Sequence, residues 1–122
     1  MLNKKSEEKL VGVNDKLIKI ARRASETCEV EFIVTEGLRT VARQKELVAK
    51  GASKTMQSKH IVGRAFDVAP VIGGQVRWDW PPFHTIAAAM KKAAKDLGIV
   101  IVWGGDWKTF PDGPHFELGE KE

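Results

Sequence analysis

The chain has little of what would place it in several large protein classes. Cys28 is the only cysteine in 122 residues, so an intramolecular disulfide is impossible and a disulfide-stapled scaffold is excluded. No histidine is near it in sequence, and a thiol nucleophile needs a base beside it, so Cys28 reads as a small apolar filler. No window approaches the run of about 18 apolar residues that a membrane span needs. The N-terminal MLNKKSEEKL starts basic but lacks an apolar segment, so no signal peptide is read and the protein is expected to stay in the cytoplasm unless another protein releases it. Low-complexity tracts, internal repeats and linkers are missing too, which leaves one domain over residues 1–122.

What is present is ordinary for a soluble globular domain: 43% apolar and 30% charged residues, enough for one modest core. The net charge is +4 and the pI about 9.3, with lysines and arginines scattered rather than bunched. Such a field mildly favours any polyanion. Nothing but this charge supports a nucleic-acid binder, and a solvated surface accounts for it. Nothing in the sequence suggests more than a monomer.

Apolar residues at Leu10, Val13, Leu17, Ile20 or Ala21, and Ala24 predict a helix over 7–24, opened by Ser6, Glu7 and Glu8. The β-branched and aromatic run 29–37 predicts a strand that stops at Gly37. Thr40 caps a second helix over 41–50, closed by Gly51, and a polar loop follows over 51–60. Residues 65–70 read as a short strand ended by Pro70. Gly73-Gly74 then makes a turn into a returning arm over 75–80. Pro81-Pro82 opens a third helix with Ile86, Ala89, Met90, Ala93 and Leu97 on one face, and Gly98 ends it. The run 99–103 predicts a buried central strand, and 115–118 a last short one. The expected architecture is α+β, with helices packed on one face of a small sheet.

Two of the three histidines, His60 and His115, fall at loop–strand edges with aspartates nearby; His84 has no carboxylate closer than Asp79 and reads as structural or exposed. The helical zinc motif HExxH is absent. A catalytic zinc site wants three protein ligands and one open position, and two neutral imidazoles plus one carboxylate meet that need. His60, Asp67 and His115 are the available set. A turn at Gly63 would bring the strand start back beside His60, with Ala65 keeping the approach uncrowded. A base for the water must be a separate group. Asp112, three residues before His115, can sit beside the ion without binding it; Asp106 and Glu117 are the other candidates. Glu117 shares a strand face with His115 and could orient that ligand. Trp103 and Trp107 flank the loop before Asp112 and could line a groove. All four tryptophans, including Trp78 and Trp80, read first as core packing or a lid.

The segment Ser58-x-His60-x-x-Gly63-x-Ala65-x-Asp67 resembles the SxHxxGxAxD signature of a zinc peptidase family. That family holds D-alanyl-D-alanine carboxypeptidases and dipeptidases, and the L-alanyl-D-glutamate endopeptidases of bacteriophage lysins. Asp112-x-x-His115 is similar to its second signature, and 36-EGLRT-40 followed by Gln44 to a third element. The motifs occur in the family's order over roughly residues 30–118.

The resemblance implies the carboxypeptidase/hedgehog-like zinc peptidase fold, with a small antiparallel sheet. It implies one zinc ion held by His60, Asp67 and His115, and Asp112 as the general base. Arg39 would hold a substrate carboxylate or stabilise the oxyanion, and Ser58 would contact substrate or shape its loop. An aspartate rather than a glutamate at position 112 is similar to the phage branch. That branch implies cleavage of the L-alanyl-D-glutamate bond of peptidoglycan, release by a holin, and host lysis without a separate wall-binding domain. A D-alanyl-D-alanine carboxypeptidase, or a zinc-stabilised wall-binding module that does not cut, are the alternatives.

Overall fold

The computed structural model describes residues 1–52 and 59–122. Helices α1 (Lys4–Lys9), α2 (Asp15–Thr27), α3 (Val41–Ala49) and α4 (Trp80–Leu97) alternate with strands β1 (Glu31–Glu36), β2 (Ala65–Ile72), β3 (Gln75–Val76), β4 (Ile101–Trp103) and β5 (His115–Leu118). All strand pairs are antiparallel, in the order β1-β2-β5-β4, and β3 folds back on the end of β2. This is the α+β architecture expected from the sequence.

The helix predicted over 7–24 is two helices. Gly12 takes a left-handed φ of 87°, and Asn14 caps α2 by accepting from the Lys16 N–H. The apolar rhythm hid the break because Leu10, Val13, Leu17, Ile20 and Ala24 are buried on both sides of it. Ser6 is not a helix opener. Asn3 caps α1, while the Ser6 hydroxyl accepts from the buried Val34 N–H at 3.0 Å. That bond serves an edge strand whose outer side α1 covers, and an unpaired buried N–H there would cost about 1–3 kcal/mol.

Thr40 caps α3 as expected, accepting from the Arg43 N–H. The arm predicted over 75–80 pairs only at Gln75 and Val76, and α4 begins at Trp80, one residue ahead of the proline pair. Strand β2 runs past Pro70 to Ile72; Pro70 sits opposite Phe32, and its carbonyl accepts from the Arg77 N–H. The run 99–103 yields an edge strand rather than a central one. Ile101 and Val102 are only half-buried and Val100 is exposed. The polar loop expected over 51–60 lies partly outside the described residues.

Strand alternation divides the sheet into two faces. Phe66 and Val68 of β2, with Phe116 and Leu118 of β5, join Leu17, Ile20, Ile86 and Met90 of α2 and α4 in one core, where Phe66 and Phe116 stack at 5.8 Å. Each such side chain contributes about 1.5–3 kcal/mol on burial. Half-buried Cys28 packs on this core, and burial raises its thiol pKa, as suits a filler. The same alternation turns Asp67, His115 and Glu117 toward the other face.

Candidate metal centre

The turn before β2, β2 itself and the distant β5 meet on that second face. The register of β2 and β5 places Asp67 directly opposite His115. His60 arrives on a tight turn in which Arg64 N–H donates to the Lys59 carbonyl. Gly63 completes the turn with φ 71°, and a Cβ there would come within 2.5 Å of the Gly12 carbonyl oxygen. Gly37 also meets the N-terminal hairpin main chain to main chain, against Lys9. Ala65 and Ala69 flank Asp67 along β2 and leave room at the site.

Each imidazole is fixed in one tautomer by what it touches. His60 Nδ1 lies 2.9 Å from the Gly37 carbonyl, which can only accept, so Nδ1 carries the proton and the Nε2 lone pair faces inward. His115 Nε2 lies 2.8 Å from Glu117 Oε1 and donates to it, which turns the Nδ1 lone pair inward. These two nitrogens are 3.2 Å apart, and each is 3.3 Å from Asp67 Oδ1. That oxygen is buried and has no hydrogen-bond partner among the described residues. With His60 and His115 both neutral, three electron pairs converge on one point; without an ion, a proton on His115 Nδ1 lies between them and faces Asp67.

A metal ion satisfies this arrangement by taking the place of that proton. A tetrahedral ion with bonds of about 2.0–2.1 Å holds its ligand atoms about 3.3–3.4 Å apart, close to the observed spacings. The residues therefore fit a small, nitrogen- and oxygen-bound metal ion of the zinc type. His60, Asp67 and His115 are the set that the sequence pointed to, and they form the one potential metal group found among the described residues.

Charges around the centre are tightly coupled. Burial pushes the Asp67 carboxyl up, but His115 and His60 outweigh it and hold the group well below the usual carboxylate range. Burial works against a charged His115, yet Asp67 and then Glu117 overcome it and lift its pKa to about 9. Asp112 is raised, first by burial and then by the Asp67 charge, with His115, His60 and Arg39 opposing. Gly104 brings Asp112 and His115 together, since a Cβ there would meet His115 Cβ at 3.0 Å and Asp112 Cβ at 3.2 Å. The Asp112 backbone is locked there: its N–H donates to Gly104, and its carbonyl accepts from His115 N–H. A Cβ on Gly104 would approach that carbonyl to 2.5 Å, so the close contact requires glycine.

Arg39 lies at the site and is almost fully buried. It grips Glu36 with Nε at 2.8 Å and Nη2 at 2.9 Å, and its Nη1 donates to Gln44 at 2.7 Å. Its Nη2 is 3.8 Å from Asp67 Oδ2, the oxygen turned away from the metal point. An irregularity in β1 after Val34 makes this possible by setting Glu36 opposite Asp67. Ser58 lies outside the described residues. Asp106 pairs with Lys91 on the exposed side, which leaves Asp112 the better placed carboxylate.

The tryptophans divide. Trp103 is core, with its indole N–H on the Gly113 carbonyl. Trp107 lies 5.0 Å from the His115 ring and borders the site. Trp78 and Trp80 are exposed, not core; Trp80 lies beside exposed His84. Sequence reasoning gave no role to Glu36 or Lys59. Their only signal was adjacency, Glu36 within the EGLRT element and Lys59 next to His60.

Residues 1–119 match the model of the phage L-alanyl-D-glutamate peptidase family. The chain belongs to that family. An L-alanyl-D-glutamate peptidase of Escherichia phage T5 is 40% identical over 113 residues, 89% of this chain and 82% of the relative. The peptidoglycan L-alanyl-D-glutamate endopeptidase CwlK of Bacillus subtilis (strain 168) is 32% identical, over 73% of this chain and 61% of that protein. Among solved structures, the L-Ala D-Glu endopeptidase ChiX of Serratia marcescens superposes with a TM-score of 0.94 at 43% identity, covering 99% of this chain and 92% of that one. The vancomycin-resistance D,D-dipeptidase VanXYg, at 15% identity and a TM-score of 0.56 over 87% of this chain and 50% of its own, shares the fold.

Proposed function

We propose that this family member hydrolyses the L-alanyl-D-glutamate amide of peptidoglycan stem peptides, with one zinc ion held by His60, Asp67 and His115. The observation that carries this reading is the convergence of three lone pairs with a separate carboxylate, Asp112, beside them. The phage and bacterial relatives named for this bond support the substrate. Bound at the centre, the ion supplies Lewis-acid chemistry and lowers the pKa of a water.

The chain's own residues do the rest. Asp112 takes a proton from the attacking water and returns it to the leaving amine. Burial of its carboxyl favours that exchange, because a raised pKa brings a carboxylate closer to the working pH. Arg39 holds negative charge on the substrate or the transition state from its place beside Asp67. For Ser58 the family resemblance leaves two roles, substrate contact or shaping its loop. The phage relatives support host lysis as the outcome, with holin-dependent release from the host cytoplasm and a monomeric enzyme as part of the same reading. No helix among the described residues is long and apolar enough to cross a membrane.

Mass spectrometry of products from purified Gram-negative peptidoglycan, with zinc and again with a chelator, tests the bond. Stem peptides with a freed D-glutamate amine, lost on chelation, are expected. Release of D-alanine alone would move the enzyme to carboxypeptidase chemistry.

Zinc binding should also depend on pH in a defined way. Free of metal, His115 keeps its proton up to about pH 9, and the ion must displace it. Apparent affinity should therefore rise about tenfold per pH unit below that value and level off above it. The gain in Tm on adding zinc should grow between about pH 6 and pH 9 in scanning calorimetry. A gain that does not change with pH would show that no such proton is displaced.

A further inference from the structure

His115 is one end of a chain of contacts that leaves the site. Its Nε2 donates to Glu117 Oε1 at 2.8 Å, and the other carboxylate oxygen, Oε2, lies 2.7 Å from Lys59 Nζ. Glu117 is half-buried, and Lys59 is about one-third exposed at 31%. Two features of the fold build this chain. Strand period sets Glu117 on the same face as His115, while Ala65 pairs with Glu117 and carries the turn 59–63 over it. Within that turn Lys59 and His60 are consecutive, so one short segment places an ammonium on Glu117 and an imidazole at the metal point.

We infer that Lys59 and Glu117 form a positioning pair that holds His115 as a nitrogen ligand and raises the affinity of the centre for its ion. This rests on the metal reading above but assigns residues that the reading does not need. A carboxylate accepting the Nε2 proton increases electron density at Nδ1 and strengthens it as a donor. It also removes the alternative tautomer, in which Nδ1 would carry the proton and could not bind. Lys59 anchors the second oxygen, so the carboxylate cannot rotate away from the ring. Because the ammonium is partly exposed, water screens its charge from the ion, while its grip on Oε2 is direct. Its net effect is therefore to favour binding. On the opposite side Arg39 fixes Glu36 and approaches Asp67 Oδ2, so each half of the centre has a cation and a glutamate behind it.

The test measures zinc affinity by competition with a chromophoric chelator, without substrate, on wild type, Glu117→Gln and Lys59→Met. Glu117→Gln keeps the size and an acceptor oxygen but loses the charge. Measured above about pH 9, where the His115 proton no longer competes in either protein, it should weaken zinc binding about 10- to 100-fold with Tm of the zinc-free protein little changed. Lys59→Met should weaken it less. Proton and nitrogen NMR of the zinc-loaded proteins supplies a readout that a purely structural role would not move. The His115 Nε2–H resonance should lie far downfield in wild type and shift upfield in Glu117→Gln. Equal affinity and an unshifted resonance in Glu117→Gln would overturn the inference, and equal affinity in Lys59→Met would remove Lys59 from it. Wild-type protein that binds zinc yet leaves peptidoglycan intact would defeat the proposed function while leaving this one standing.

Discussion

Replacing Asp112 by asparagine should leave zinc bound and lower kcat about 10²- to 10⁴-fold, the range usual for loss of a general acid–base group. Asparagine keeps the shape and the backbone contacts to Gly104 and His115, which come from main-chain atoms. What it removes is a carboxylate that can exchange a proton. The burial and the Asp67 charge that raise the Asp112 pKa act on that exchange alone. Metal content by chelator titration and peptidoglycan digestion by turbidity, run on the same preparation, separate binding from catalysis. An Asp112→Asn protein that digests peptidoglycan at the wild-type rate would move the base elsewhere. Asp106 would be a poor substitute, since Lys91 holds its carboxylate on the exposed side.

A larger effect on the ion itself is expected from Asp67→Ala. Asp67 is the one anion of the three ligands, and its Oδ1 has no other partner among the described residues. Zinc affinity should fall more than 100-fold, beyond the roughly 10- to 100-fold typical when only an outer partner of a ligand is lost, and digestion should fall to background. The zinc-free protein should also change. Asp67 is the strongest influence holding the His115 pKa up near 9, so that pKa should drop toward the usual value of about 6.5. Histidine titration by NMR reads the drop directly. An unchanged titration would mean that Asp67 and His115 do not face each other as described.

The site was more legible in sequence than the fold around it. His60, Asp67 and His115 stood out because a gapped pattern joined residue types that suit one ion, and such patterns survive without any knowledge of strand pairing. The opposition of Asp67 and His115 was not readable, because register is set by tertiary packing of two strands nearly fifty positions apart. The same limit explains the strand at Ile101–Trp103. A continuous apolar run signals burial, but it does not say whether neighbours lie on one side or two. The split of the first helix had a signal, Asn14 ahead of Asp15, which the unbroken apolar rhythm masked. Glu36 was hidden more deeply, since only an irregularity in β1 brings it across from Asp67.

Near His60, Gly37 packs against the Lys9 carbonyl and Gly63 against the Gly12 carbonyl, each too closely to admit a Cβ. The carbonyl of Gly37, part of that crossing, is the one that orients the His60 ring. The N-terminal hairpin is therefore a foundation of the metal centre, although it holds none of the ligands. For anyone trimming the domain to a minimal enzyme, the motif-bearing stretch from β1 onward is not a separable unit. A shortened chain would retain every ligand and lose the surface that aims one of them.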